Sequence, residues 1–233
     1  MDKLAAGINF DGHGLAQSIN AVQMQMNIMD IFAQNIVGFD KVGYQRKEAV
    51  VSSFAEYLGT GALSYSTDTQ VGRIVITENP LDVALSEKGY FQVLNKDGSI
   101  ELTRDGRFKL DKDGNLLTQN DQQVLSNGGN PIKFPCLPDE LDKITIGLDG
   151  KIGVFDSKER GLVPVGTIGV VSEDGALVTS DCVHQGYIEN SNVSIEREYI
   201  EIANHRRFLT ANSTMFRIQN AKLSNTIQKL GSV

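Results

Sequence analysis

A chain of 233 residues suffices for one large domain or two small ones. Its formal charge of −7, with no Lys/Arg cluster interleaved with aromatics, argues against a nucleic-acid partner. Two cysteines exclude a disulfide framework, and no run of roughly 18 apolar residues is present to span a membrane.

The first residues, Met1-Asp-Lys-Leu-Ala-Ala-Gly-Ile-Asn9, lack the basic stretch and apolar core of a cleaved secretory signal. A protein exported without cleavage reads identically. Beyond them, Leu15, Ile19, Val22, Met26, Met29, Ala33 and Ile36 recur at alternating steps of four and three. This 3.5-residue period predicts a helix that packs along another helix. Asp30 is the only charge between Gly14 and Ile36; amides such as Gln23, Gln25 and Asn27 supply the polarity. Such a face suits contact with protein better than bulk water. Gly38 and Gly43 predict its stop. A connection follows to residue 60, with a short helix expected over 48–58.

From about residue 61 to 190 the period changes to two. Asp97-Gly98, Asp105-Gly106, Asp113-Gly114, Asp149-Gly150 and Asp174-Gly175 punctuate short alternating runs, a hairpin signal because both turn residues need positive φ. Residues 90–94, 100–103, 107–110 and 115–118 read as a meander. Further strands are expected over 73–77, 143–146, 151–155, 165–171 and 186–189. Many short strands with frequent turns predict a sandwich or irregular barrel.

The C-terminal segment carries the longest ladder. Ile195, Ile202, Leu209, Phe216, Leu223 and Leu230 are seven apart and all apolar. The interleaved seam is read as Tyr199, Arg206, Ser213, Asn220 and Ile227, apolar only at its ends. The polar members would fix register at some cost in stability. Asn192 or Ser194 is the expected N-cap, Glu196, Glu198 and Glu201 oppose the positive helix end, and Gly231 follows the ladder. A helix of this length reaches about 54 Å, more than a small domain's core requires. Neither helix is stable alone, so each needs a partner surface: the other terminal helix of the same chain, or a neighbouring subunit. The resulting class is α+β: helical assembly regions at residues 1–60 and 191–233, in coiled-coil register, flanking an all-β domain at 61–190.

No catalytic constellation is present. Asp111-Lys-Asp-Gly-Asn115 departs from the calcium-loop pattern because Gly falls at the fourth position, so a hairpin turn is the preferred reading. His13, His184 and His205 lie far apart without metal-ligand spacing. Cys136, between Pro135 and Leu137, suits a buried inert thiol. Neither a nucleophile elbow nor a phosphate-binding loop occurs. The chain therefore reads as a non-enzyme without cofactor or metal.

Three segments also resemble the flagellar rod and hook proteins of the bacterial basal body. The first contains Leu81, Asp82, Val83, Ala84, Gly89, Tyr90 and Phe91, followed by Arg104, Asp105 and Gly106. The second contains Gly186, Asn190, Ser191, Asn192 and Val193. The third is the C-terminal ladder with Ala203-Asn-His-Arg-Arg-Phe208. Within the family the proximal-rod branch is nearest. The helix exit departs from the family pattern: Gly38 stands where a second Asn is usual, and Lys41 where Thr is usual. The resemblance implies a structural axial subunit of the rod. It implies polymerisation through the terminal helices, with copies of itself and other rod and hook proteins as partners. It also implies export through the flagellar type III apparatus. A non-flagellar β-domain binding module dimerised by a coiled coil is the alternative.

Overall fold

The computed structural model describes residues 13–51, 63–135, 137–138, 140–156 and 161–230. They group into two compact units. One takes the residues up to Ile36, Lys47–Thr67, and those from Ser194 onward; the other takes Val37–Arg46 and Asp68–Val193.

The first unit holds two helices, α1 (His13–Gly38, 26 residues) and α2 (Ile195–Leu230, 36 residues). The N-terminal helix is thus the shorter of the two. It stops where the Gly38 carbonyl accepts from Lys41 N in a turn at 3.1 Å. α2 starts at Ser194, whose Oγ accepts from Arg197 N at 3.3 Å and whose carbonyl accepts from Glu198 N at 3.0 Å. Glu196 and Glu198 sit in the first turn, facing the positive end of the helix. Two strands, β1 (Lys47–Val51) and β2 (Leu63–Thr67), pair as an antiparallel ribbon. The helix expected over 48–58 is therefore corrected at 48–51; residues 52–58 lie outside the described residues. Val50 and Val51 are β-branched and favour extended backbone, and Lys47 is held as strand by Asn35, as described below.

The second unit is built from short antiparallel strands. β3 (Ile74–Ile76) pairs with β15 (Tyr187–Glu189), and β4 (Val83–Leu85) with β14 (Val183–Gln185). β5 (Tyr90–Leu94) is central to a six-stranded sheet with β6 (Ile100–Thr103), β7 (Phe108–Leu110), β8 (Leu116–Thr118), β9 (Gln123–Val124) and β13 (Val170–Val171). A 3₁₀ turn at Leu141–Lys143 leads into a three-stranded sheet of β10 (Ile144–Ile146), β11 (Lys151–Asp156) and β12 (Gly161–Thr167). The strand expected over 165–171 is divided, because Gly169 N turns to donate to Leu125 O at 2.9 Å. Alternation places Phe91, Val93, Phe108, Leu116, Ile152 and Val154 in one apolar core. Phe91 and Phe108 meet edge-on with centroids 5.2 Å apart.

Asp-Gly turns join β5 to β6, β7 to β8, and β10 to β11, with Gly98, Gly114 and Gly150 at positive φ. Asp105-Gly106 differs from the meander expectation. β6 and β7 do not pair; each has its partner elsewhere. Gly106 lacks positive φ and instead lets the chain turn a corner against β4, where Val83 N donates to Gly106 O at 2.9 Å. A Cβ there would overlap the Val83 carbonyl oxygen.

Candidate assembly surface

In the first unit α1 and α2 run antiparallel, linked by hydrogen bonds whose numbering rises on one helix as it falls on the other. Asn35 Nδ2 donates to Glu198 Oε2 at 3.1 Å, His205 Nδ1 meets Gln25 Oε1 at 2.9 Å, and Ser18 Oγ donates to Gln219 Oε1 at 3.0 Å. The His205 ring lies 5.2 Å from that of Phe32 and 6.1 Å from that of Phe208. On α2 the positions turned towards α1 alternate between the apolar ladder and a second ladder one residue earlier than read from sequence. That second ladder is Glu198, His205, Asn212, Gln219 and Thr226, polar throughout. On α1 the buried side chains include Gln25, Ile28, Ile31, Phe32 and Asn35.

The sequence-derived ladders divide accordingly. On α1, Ile19 and Met26 are exposed at 41% and 55%, as is Ala33, while Val22, Met29 and Ile36 are half-buried. On α2, Ile195, Ile202, Leu209, Phe216 and Leu223 are half-buried. Tyr199, Arg206, Asn220 and Ile227 are exposed, and Ser213 is half-buried. The side chains of Leu15 and Leu230 lie outside the described residues. The helix pair thus buries Ile28, Ile31 and Phe32 and still keeps large apolar side chains on its outer faces. Monomeric surfaces carry such side chains singly; an aligned series marks a contact surface.

The motif residues of the second unit have a different task. Arg104 is 2% exposed and reaches three segments at once. Its Nε donates to Glu189 Oε2 at 2.6 Å, and its Nη atoms donate to the carbonyls of Leu85, Glu87 and Gly89. Glu189 in turn accepts from Gly72 N at 2.8 Å. Asp105 is bound by the Arg107 guanidinium at 2.6 Å. Leu81, Val83, Ala84 and Phe91 are core residues, and Val193 is also buried. Asp82 accepts from Asn79 Nδ2 at 3.0 Å, and its carbonyl accepts from Gly186 N at 2.7 Å. The Tyr90 hydroxyl donates to Gln45 Oε1 at 2.8 Å, and burial raises its pKa above the usual phenol value. Asn190 N donates to the Arg73 carbonyl, and Ser191 Oγ accepts from Val193 N. Asn192 is not the N-cap. Its Oδ1 accepts from Arg46 N at 2.7 Å, and its Nδ2 donates to Asp68 O and Gln70 O. The motifs therefore join distant chain segments rather than line a pocket.

The departure at the helix exit is compensated. Gly38 lies beneath the Tyr44 ring, which any Cβ would overlap, and Gly43 adopts φ +69° with the Arg104 carbonyl carbon 2.5 Å from an added Cβ. Both positions demand glycine for close approach.

Asp111 spends its carboxylate on its own turn, accepting from Asp113 N, Asn115 N and Asn115 Nδ2. Among the described residues, no group of three or more His, Cys, Asp or Glu side chains could hold a metal, and no helix is long and apolar enough to cross a membrane. Cys182 is buried; Cys136 lies outside the described residues.

Residues 84–154 match the family described as the flagellar hook protein FlgE/F/G D1 domain. Flagellar basal-body rod protein FlgG of Buchnera aphidicola subsp. Acyrthosiphon pisum (strain APS) is 28% identical over 240 residues, covering 85% of this chain and 89% of that protein. Flagellar basal-body rod protein FlgG of Buchnera aphidicola subsp. Schizaphis graminum (strain Sg) is 24% identical over 259 residues, covering 90% and 95%.

Proposed function

We propose that this chain, similar to the flagellar rod and hook proteins, is a structural subunit of the basal-body rod. The subunit joins copies of itself and other rod and hook proteins through its terminal helices, packed in coiled-coil fashion, and serves in the motility drive shaft. Its place is the proximal rod. It reaches the basal body through the flagellar type III export apparatus. It has no catalytic task.

The observation that carries this reading is the outer face of the helix pair. Ile19 and Met26 on α1, with Tyr199, Phe208, Met215 and Ile227 on α2, stay exposed along helices that already meet through their own apolar and polar positions. Apolar side chains aligned on a long helix gain stability only when another copy or a related protein covers them. The second unit needs no such cover, having its own core.

The test is incorporation. Met26→Asp and Ile227→Asp should abolish incorporation into rods and swimming in a complemented deletion strain. The thermal unfolding of the second unit should stay nearly unchanged. Rods of normal length carrying either variant would refute the proposal. Discrete dimers of the wild-type chain at every concentration would favour the binding-module alternative.

A further inference from the structure

α2 carries a shallow depression running from Tyr199 to Ile218, with the small side chains of Ala203 and Ala211 within it and Arg206 and Arg207 beside them. Both arginines are exposed and make no ion pair among the described residues. From Ile202 to Leu230 the helix contains Arg206, Arg207, Arg217, Lys222 and Lys229 but no carboxylate. By contrast, the second unit holds 21 Asp and Glu against 14 Lys and Arg, so the chain's whole net charge of −7 resides there.

One feature of that acidic unit has the complementary chemistry. The turn after β13 is closed by Ser172 N donating to Ala176 O at 2.8 Å and Gly175 N donating to Ser172 O at 2.9 Å, with Gly175 at φ +80°. It presents Glu173 and Asp174 to solvent, and Leu177 beside them is 51% exposed. Two carboxylates next to a protruding leucine match two guanidinium groups next to a small-residue depression.

We propose that the Glu173-Asp174 turn of a second copy seats on this depression. Leu177 fills the space over Ala203 and Ala211, and the two carboxylates pair with Arg206 and Arg207. The contact gives α2 a cross-subunit partner other than a helix. It rests on the reading of this chain as a self-associating subunit.

The experiment uses the full chain in two differently tagged populations. Arg206→Glu with Arg207→Glu should weaken self-association roughly threefold to thirtyfold at low salt, the range for two exposed ion pairs, and less at high salt. Glu173→Arg with Asp174→Arg should do the same, and mixing the two charge-reversed populations should restore association. Ala176→Cys in one population and Ala211→Cys in the other should give a disulfide-linked heterodimer, mapped by mass spectrometry to the new cysteines. Absence of that heterodimer, or charge reversal without effect in a chain whose association Ile227→Asp still abolishes, overturns this contact alone. A chain monomeric at every concentration overturns the assembly reading and the contact with it.

Discussion

The amide of Asn35, fully buried on α1, donates to Glu198 at 3.1 Å on α2 while pairing with both backbone groups of Lys47. Its Oδ1 accepts from Lys47 N at 2.9 Å and its Nδ2 donates to Lys47 O at 2.8 Å. One side chain therefore ends the helix side of the unit, starts β1 and sets the α1–α2 register.

Asn35→Ala should destabilise the first unit by about 2–4 kcal/mol, because Lys47 N–H and C=O lose partners in a buried site. Asn35→Asp should cost more, since a carboxylate would face Glu198 and could not donate to it. The helical signal in denaturant melts reads both. A loss below about 0.5 kcal/mol for Asn35→Ala would mean water replaces the amide without penalty.

The buried Arg104–Glu189 pair gives a second expectation. Arg104→Ala should cost the second unit about 3–5 kcal/mol by leaving the Glu189 charge uncompensated. Arg104→Lys should rescue little, because an ammonium cannot reach Glu189 and the Leu85, Glu87 and Gly89 carbonyls from one fork. Arg104→Met combined with Glu189→Gln should recover part of the loss. Thermal unfolding of the three variants decides the matter, and equal stability of the Lys variant and wild type would remove the fork argument.

Glycines at two superficially identical Asp-Gly pairs should respond differently. Gly98 has positive φ in open space, so Gly98→Ala should cost about 1–2 kcal/mol of backbone strain. Gly106 lies against the Val83 carbonyl, so Gly106→Ala must displace backbone of the core strand β4 and should prevent the unit from folding. Soluble expression and near-ultraviolet circular dichroism distinguish them.

Much of this organisation was legible in the sequence, and the exceptions are instructive. The heptad period of α2 is plain in Ile195, Ile202, Leu209, Phe216 and Leu223, but its phase is not. A second seam can lie three or four residues from the first, and the apolar ends Tyr199 and Ile227 favour the wrong choice. The seam that faces α1 runs through Glu198, His205 and Gln219, whose affinity for the α1 amides shows only when both helices are aligned. Asp105-Gly106 carries the same dipeptide as the hairpin turns, yet its geometry is set by β4, over twenty residues earlier. Arg104 and Asn192 likewise act across long sequence separations, so local pattern gives no sign of their partners.

Acid should weaken the β7–β8 turn. The Asn115 side chain, then the Asn115 and Asp113 backbone N–H groups, hold the Asp111 carboxyl below its ordinary pKa. A group depressed in the folded state adds stability above its unfolded pKa, and that contribution is lost as pH falls through the folded value. Asp111→Asn, which keeps an acceptor but not the charge, should flatten the decline of the second unit's melting temperature below about pH 4. An unchanged acid limb would assign the decline to other carboxylates.

The last expectation concerns the polar seam itself. Gln25 and His205 meet between two helices beside Phe32, a site where leucines could pack. Gln25→Leu with His205→Leu should raise the stability of the helix pair by about 1–3 kcal/mol through apolar burial. The directional bond that distinguishes one register from a one-heptad slip would vanish, as it does when a polar seam residue is removed from a coiled coil. Ser18→Cys with Gln219→Cys reports register, because those positions are hydrogen-bonded at 3.0 Å in the native pair. Disulfide yield should be high in the native background and fall in the double-leucine background even as the helical melting temperature rises. A rise in stability with undiminished yield would show that the apolar ladder alone holds the register.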